Sequence, residues 1–416
     1  MRMTKEFQIV NLLIFTGIVI YFNFTAIFNF GDDITLVNAP LTFDGLVDLY
    51  YHWSGRVLGH TIQVFMLHNP IIFRIINSII MISMPIALWI LLDKNRTLNN
   101  LTIFVLFFLL YDYKEMRTAG YVTTYVYYYW YLFSNIIFYI FLLNYIKTSN
   151  ILSFELLLII LFGIFACNSE IGAFLNTIAL FAILFVGYYK KKFYIRKILM
   201  LLSIPLFSLL FFLTCPGLYI RSITETMYWL PEFSSYTAIY KLYLGFSETL
   251  CYYFCNQSVV FMFFLSVLLV CAVAKGINVA YLLFWGVICY IFPKYDHALI
   301  VKFSSVSHIE AYVYFAILLC FCSLVLLTIF RIFYDNDIEI FLLVSCILVL
   351  GFLTRVLMGF SPTLYASNTR TYLYCDFALL ISIFYLLRYS QNNLNELCPV
   401  FLALFAYPYF ISNLLS

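Results

Sequence analysis

Two adjacent carboxylates, Asp32 and Asp33, stand at the end of a long apolar run. Neighbouring acids at a helix exit cannot share one environment, so one faces a protein cleft and the other solvent or a cation. A carboxylate at a semi-apolar lip has its pKa raised toward that of a general base. The plain alternative is a solvated helix end. Trp53-Ser54-Gly55-Arg56 follows, where Gly permits a tight turn and Arg presents a fork that suits phosphate. Its alternative is a Trp and Arg interfacial anchor. Asn168-Ser169-Glu170 interrupts two apolar runs with almost no loop, and a carboxylate there is costly unless paired. It is either functional or bound to an arginine on the same membrane face. Pro216-Gly217, with Arg221 four residues on, is a turn that offers an arginine to a lipid phosphate or simply anchors the loop. Arg370, just before a late apolar run, is a second candidate phosphate ligand.

Other residue types say less. The aromatic run from Tyr125 to Tyr131 could stack on sugar rings, but it also suits a membrane interface, the stronger reading. His52, His60, His68, His297 and His308 share no metal-ligand spacing, and no metal or cofactor is expected. Cys251 and Cys255 read as two thiols on one helix face rather than a disulfide. No glycine-rich phosphate loop and no internal repeat is present.

These residues are set in a chain that is 64% hydrophobic and 10% charged. No soluble core absorbs that much apolar surface, so the chain reads as an all-α polytopic membrane protein. A net charge of +3 carries no nucleic-acid signal. Apolar runs predict about thirteen spans, at roughly 8–29, 71–92, 98–112, 122–146, 151–167, 171–189, 198–214, 258–274, 277–293, 311–332, 338–354, 371–388 and 398–414. The first reads as an uncleaved helix. Lys and Arg, above all Lys190-Lys191-Lys192 with Arg196 and Lys197, place the N-terminus in the cytoplasm. External segments then fall at about 30–70, 215–257, 294–310 and 355–370 of a single domain spanning 1–416. Asp32, Asp33, Arg56, Glu170, Arg221 and Arg370 all map to that external face. A carboxylate base with several arginines at an outer-leaflet surface suits chemistry on a lipid-linked phosphate.

The order Asp32-Asp33, Trp53-Ser54-Gly55-Arg56, Asn168-Ser169-Glu170 and Pro216 to Arg221 resembles multi-spanning glycosyltransferases of the GT-C fold that use polyprenyl-phosphate sugars. The closest likeness is to serotype-converting O-antigen glucosyltransferases of bacteria and phage. It covers roughly residues 25–225; the C-terminal half is similar only in hydropathy and in Arg370. The resemblance implies a bundle of about 11–13 transmembrane helices with a long first external loop. It implies a flipped undecaprenyl-phosphate hexose, glucose or a similar sugar, as donor. A lipid-linked O-antigen or other surface glycan is the acceptor, at the periplasmic face of a bacterial inner membrane. The first-loop Asp is then the base of an inverting displacement, without metal, with Asp33 slightly favoured over Asp32. Glu170 joins the catalytic set, while Arg56, Arg221, Arg370 and Trp53 hold substrate or phosphate. A flippase and a lipid-phosphate-sugar synthase are the implied functional partners.

Two other classes compete. An O-antigen polymerase or ligase carries Arg and His in a large late external loop, but 215–257 has only Arg221 and Lys241 as basic residues and no His. A flippase or transporter needs polar groups along a midplane path, and the spans after residue 258 are nearly devoid of charge.

Overall fold

The computed structural model describes residues 5–28, 30–147, 153–189, 195–256, 258–295, 309–334, 338–367, 369–389 and 394–415. None of these lies in a strand; the architecture is all-α. Among the described residues eight helices are long and apolar enough to cross a bilayer. They are Lys5–Thr25, Pro70–Leu92, Tyr121–Lys147, Glu170–Tyr189, Ile195–Leu213, Val313–Phe333, Ile338–Phe360 and Thr369–Arg388. A pair bent by 83°, Ala238–Cys255 with Val259–Ala274, has the length and composition of a broken span or a re-entrant loop, and three apolar helices are shorter. The chain is therefore a multi-pass helical membrane protein. Lys190-Lys191-Lys192 and most of the expected external segment 294–310 lie outside the described residues.

Contacts group the chain into two compact units, residues 2–224 with 407–416, and residues 225–406. The N-terminal unit begins with α1 (Lys5–Thr25), α2 (Asp32–Leu36), α3 (Phe43–His52), α4 (Val57–His68), α5 (Pro70–Leu92) and α6 (Leu98–Leu109). It continues with α7 (Tyr121–Thr124), a π-helical turn over Tyr125–Tyr129, α8 (Trp130–Lys147), α9 (Ser153–Ala166), α10 (Glu170–Tyr189), α11 (Ile195–Leu213) and the start of α12 (Pro216–Trp229). The expected first external loop is thus mostly helical. In this unit α1 packs on α5 and α6, α5 on α8, α8 on α9, and α11 on α9 and α10.

Polar side chains fasten that bundle where apolar packing alone is unspecific. Asn23 of α1 accepts hydrogen bonds from Asn77 (2.6 Å) and from the Tyr121 hydroxyl (3.0 Å). Trp130 donates to Asn77 at 2.8 Å. Arg74 of α5 donates to the carbonyls of Asn23 (2.8 Å), Phe24 and Ala26 (3.0 Å). A cation on the orphan carbonyls at the end of α1 satisfies them and complements the helix dipole. That clamp fixes the direction in which the chain leaves α1 toward Asp32.

The C-terminal unit holds α13 (Ala238–Cys255), α14 (Val259–Ala274), α15 (Ala280–Tyr295), α16 (Ile309–Phe333), α17 (Ile338–Val356), α18 (Leu373–Tyr389) and most of α19 (Leu394–Leu415). In it α18 packs against α14 and α17, and α15 and α17 each pack on α16. The stretch 215–257, expected as an external segment, is largely helical. Its second half, α13, buries Tyr240, Leu244, Leu250, Cys251, Tyr253 and Phe254. Polar and aromatic residues interleaved along α13 lower its hydropathy, which is why it does not read as an embedded helix. Cys251 and Cys255 lie one turn apart on α13 with their Sγ atoms 3.5 Å apart, both as thiols.

Candidate active site

The two adjacent aspartates are separated by their surroundings. Asp33 is 2% exposed and caps α7 from outside that helix. Its Oδ2 accepts the Val122 N–H at 3.0 Å, and its Oδ1 accepts the Thr123 N–H at 2.9 Å and the Thr123 hydroxyl at 2.6 Å. The residue before α7 is Gly120, which has no side chain to cap with, and Asp33 supplies the missing acceptor. Close approach makes this fit possible. Gly31 and Gly120 both have positive φ, at 57° and 112°, and a Cβ on Gly120 would meet Asp33 Oδ1 at 2.6 Å. The Asp32 N–H donates to the Ala119 carbonyl at 2.8 Å, closing the junction. Burial pushes the Asp33 carboxyl above its ordinary value, and the bonds from Thr123 and Val122 hold back part of that rise. Asp32, one residue earlier, is exposed.

Arg56 and Glu170, 114 residues apart, form an ion pair. Arg56 Nη2 and Nε donate to the same oxygen, Glu170 Oε2, at 2.6 and 2.9 Å. The side chains are 24% and 32% exposed. Burial opposes the Arg56 charge, but the Glu170 carboxylate outweighs it and raises the guanidinium pKa. The rest of the Asn168-Ser169-Glu170 turn builds this position. Ser169 Oγ accepts the Gly172 N–H at 3.0 Å and starts α10, so Glu170 stands in the first helical turn, where a carboxylate suits the dipole. Asn168 Oδ1 accepts the Gly59 N–H at 2.8 Å and the Tyr131 hydroxyl at 3.1 Å, joining this turn to α4 and α8.

Trp53 and Arg221 meet as well, with the guanidinium carbon 5.2 Å from the indole centre. Gly217 lies so close to this turn that a Cβ would meet the Trp53 nitrogen at 2.4 Å. The Cys215 thiol donates to the Tyr50 carbonyl at 3.1 Å. The Arg56 guanidinium also lies over the Tyr127 ring, 5.8 Å from its centre. The ion pair thus joins the turn before α4 to the start of α10 above one tyrosine of the aromatic run. Arg370 belongs to the C-terminal unit, half-buried in the turn Thr369–Tyr372.

Several contributors carry no distinctive signal in the sequence. Tyr127 is one of many tyrosines in an aromatic run, where the interfacial reading dominates. Thr123 and Gln63, which donates to the Thr123 hydroxyl, look like ordinary polar residues of helical segments. The usable clue is the glycine itself: Gly31 directly precedes the acidic pair, and in the structure its φ is positive.

Comparison with protein-family models, curated proteins and solved structures returned no match. The class established by composition and fold is a multi-pass α-helical membrane protein.

Proposed function

We propose that the protein is a GT-C-like glycosyltransferase. It moves a hexose, glucose or a similar sugar, from undecaprenyl phosphate to a lipid-linked O-antigen or other surface glycan at the external face of a bacterial inner membrane. The observation that carries this reading is the Arg56–Glu170 ion pair over the Tyr127 ring, with the Trp53–Arg221 pair and the exposed Asp32 in the same unit. Such a site pairs an accessible carboxylate with guanidinium groups, the combination needed to deprotonate an acceptor hydroxyl while stabilising a phosphate leaving group. In this reading Asp32 is the base. Asp33 is committed to capping α7 and acts as a positioning residue. Glu170 orients Arg56, and the Trp53–Arg221 pair contributes the second cation. Displacement with inversion then leaves the new glycosidic bond on the acceptor and undecaprenyl phosphate as the other product.

Expression in a host that supplies lipid-phosphate hexose, followed by structural analysis of its surface polysaccharide, tests the proposal. A new side-branch sugar is expected. Asp32→Asn, present in the membrane at normal level, is expected to lower its incorporation by about a hundredfold or more. An unchanged glycan with wild-type protein, or full activity of Asp32→Asn, would overturn the assignment. Altered chain length without a new branch would point to a polymerase.

A further inference from the structure

Cys251 and Cys255 stand one turn apart at the end of α13, and their Sγ atoms lie 3.5 Å apart as thiols. The helix that carries them is fixed at both ends. The Thr237 hydroxyl accepts the Tyr240 N–H at 3.2 Å and caps its start. At the other end the Asn256 N–H donates to the Tyr252 carbonyl at 2.9 Å, and Cys255 is the last helical residue. Residues four apart on a helix share one face, so α13 alone holds this pair together. Cys251 is 4% exposed, while Cys255 is half-buried beside the exposed Asn256. One sulfur is thus enclosed and the other is reachable from the end of the helix.

The geometry selects what the pair can take. A disulfide brings its two Cβ atoms to about 3.5–4.5 Å, whereas residues four apart on a helix keep theirs about 5–6 Å apart. Closing an S–S bond would pull the last turn of α13 out of shape. A single atom bridging both sulfurs makes no such demand. Two bonds of about 2.3 Å to one tetrahedral centre hold their sulfurs about 3.8 Å apart, near the 3.5 Å observed. Such a centre must be thiophilic and must accept two protein ligands. Among the described residues no group of three or more His, Cys, Asp or Glu side chains could hold a metal ion. A structural zinc ion takes four such ligands. A univalent copper ion suits two thiolates but leaves a net negative charge, which is costly to enclose at Cys251. Trivalent arsenic forms two bonds to sulfur and keeps a third substituent, so its dithiol adduct is neutral.

We propose that Cys251 and Cys255 form a dithiol site for trivalent arsenic, which bridges the two sulfurs on one face of α13. With an aryl arsenic(III) oxide the step is a condensation. Two S–H bonds and the bonding between arsenic and oxygen break, two S–As bonds form, and the oxygen leaves as water with both thiol protons. Arsenic stays trivalent, and no oxidant is needed. The site stands on the thiol pair and does not rest on the sugar-transfer reading.

Phenylarsine oxide added to the purified, reduced full-length protein in detergent tests the site. The chain has eleven cysteines, so the position is assigned by substitution. Intact-mass measurement is expected to show a phenylarsenic adduct that dithiothreitol removes and that the monothiol glutathione, at equal concentration, leaves in place. The second S–As bond is intramolecular, so Cys251→Ser and Cys255→Ser are each expected to weaken retention by about a hundredfold. If Cys251→Ser does not fold, Cys255→Ser, at the half-buried helix end, carries the test. No adduct on the wild-type protein, or an adduct held equally well by a folded Cys255→Ser, would overturn the site. Ready closure of a Cys251–Cys255 disulfide by oxidised glutathione, seen by peptide mapping, would overturn the preference for a bridging atom.

Discussion

At the scale of single residues, the division between Asp32 and Asp33 has measurable consequences. Asp33 gives its oxygens to three donors of α7, so Asp33→Ala leaves an uncapped helix start and is expected to cost about 2 kcal/mol. Thermal unfolding in detergent, or the fraction of protein inserted, reads this loss. Asp32→Asn removes an exposed charge and is expected to leave the unfolding temperature within about a degree or two. Only the activity should fall. Loss of stability in Asp32→Asn, with none in Asp33→Ala, would reverse the two roles. The ion pair Arg56–Glu170 is partly exposed, so its coupling in a double-mutant cycle of Arg56→Gln and Glu170→Gln is expected to be modest, about 1 kcal/mol. Its weight in the proposed reaction is larger, because Glu170 sets where the guanidinium points.

At the scale of elements, the site depends on short helices anchored by caps. The α4 helix carries His60, which burial keeps below its ordinary pKa of 6.5. A group with a depressed folded pKa contributes stability that is complete above 6.5 and is lost as pH falls through the folded value. Unfolding measured between pH 7.5 and 5 should therefore show a loss on acidification. That loss should shrink in His60→Gln, and an unchanged pH slope in this variant would rule out His60 as its source. Gly120→Ala places a Cβ against Asp33 at a φ of 112°, so it should destabilise the same α2–α7 junction as Asp33→Ala. The two substitutions are expected to be less than additive, because they break one contact.

At the scale of the whole chain, contacts within the N-terminal unit bring the long helices back to shared ends through short apolar helices. Asp33, beyond the end of α1, binds Val122 and Thr123 at the start of α7. The chain between them descends α5 and returns through α6, which has only 12 residues. Likewise Asn168 and Glu170 bind Gly59 and Arg56, so α8 is followed by a return through α9, of 14 residues. Helices of that length span about 20 Å, less than the bilayer core, so a crossing by α6 or α9 requires their flanking residues to complete it. Single cysteines at Asn95 and Lys114, both exposed, are expected to react with an impermeant maleimide from opposite sides of the membrane. Labelling of both from one side would remove α6 from the set of spans. The sequence reading places spans at 98–112 and 151–167, where α6 and α9 stand, because hydropathy averages over a window and includes flanking aromatics that lie outside the regular helix.

The sequence by itself determined that this is a helical membrane protein, where its apolar segments lie, and which few charged residues interrupt them. Those properties are local, because transfer of each side chain from water is nearly independent of its neighbours. It also singled out Arg56 and Glu170 individually, since a charge beside lipid is expensive wherever its partner is. The partner itself was decided only by tertiary structure. Arg56 and Glu170 come from stretches 114 residues apart, and no spacing rule connects them. The same holds for Asp33, whose role depends on a glycine at position 120 that lacks a capping side chain. Arg355 is the clearest case: in sequence it is a basic residue at a helix end, the ordinary place for one. Only packing reveals that it is enclosed, with two of its nitrogens unused. Burial and hydrogen-bond satisfaction are properties of the assembled neighbourhood, and a one-dimensional pattern does not contain them.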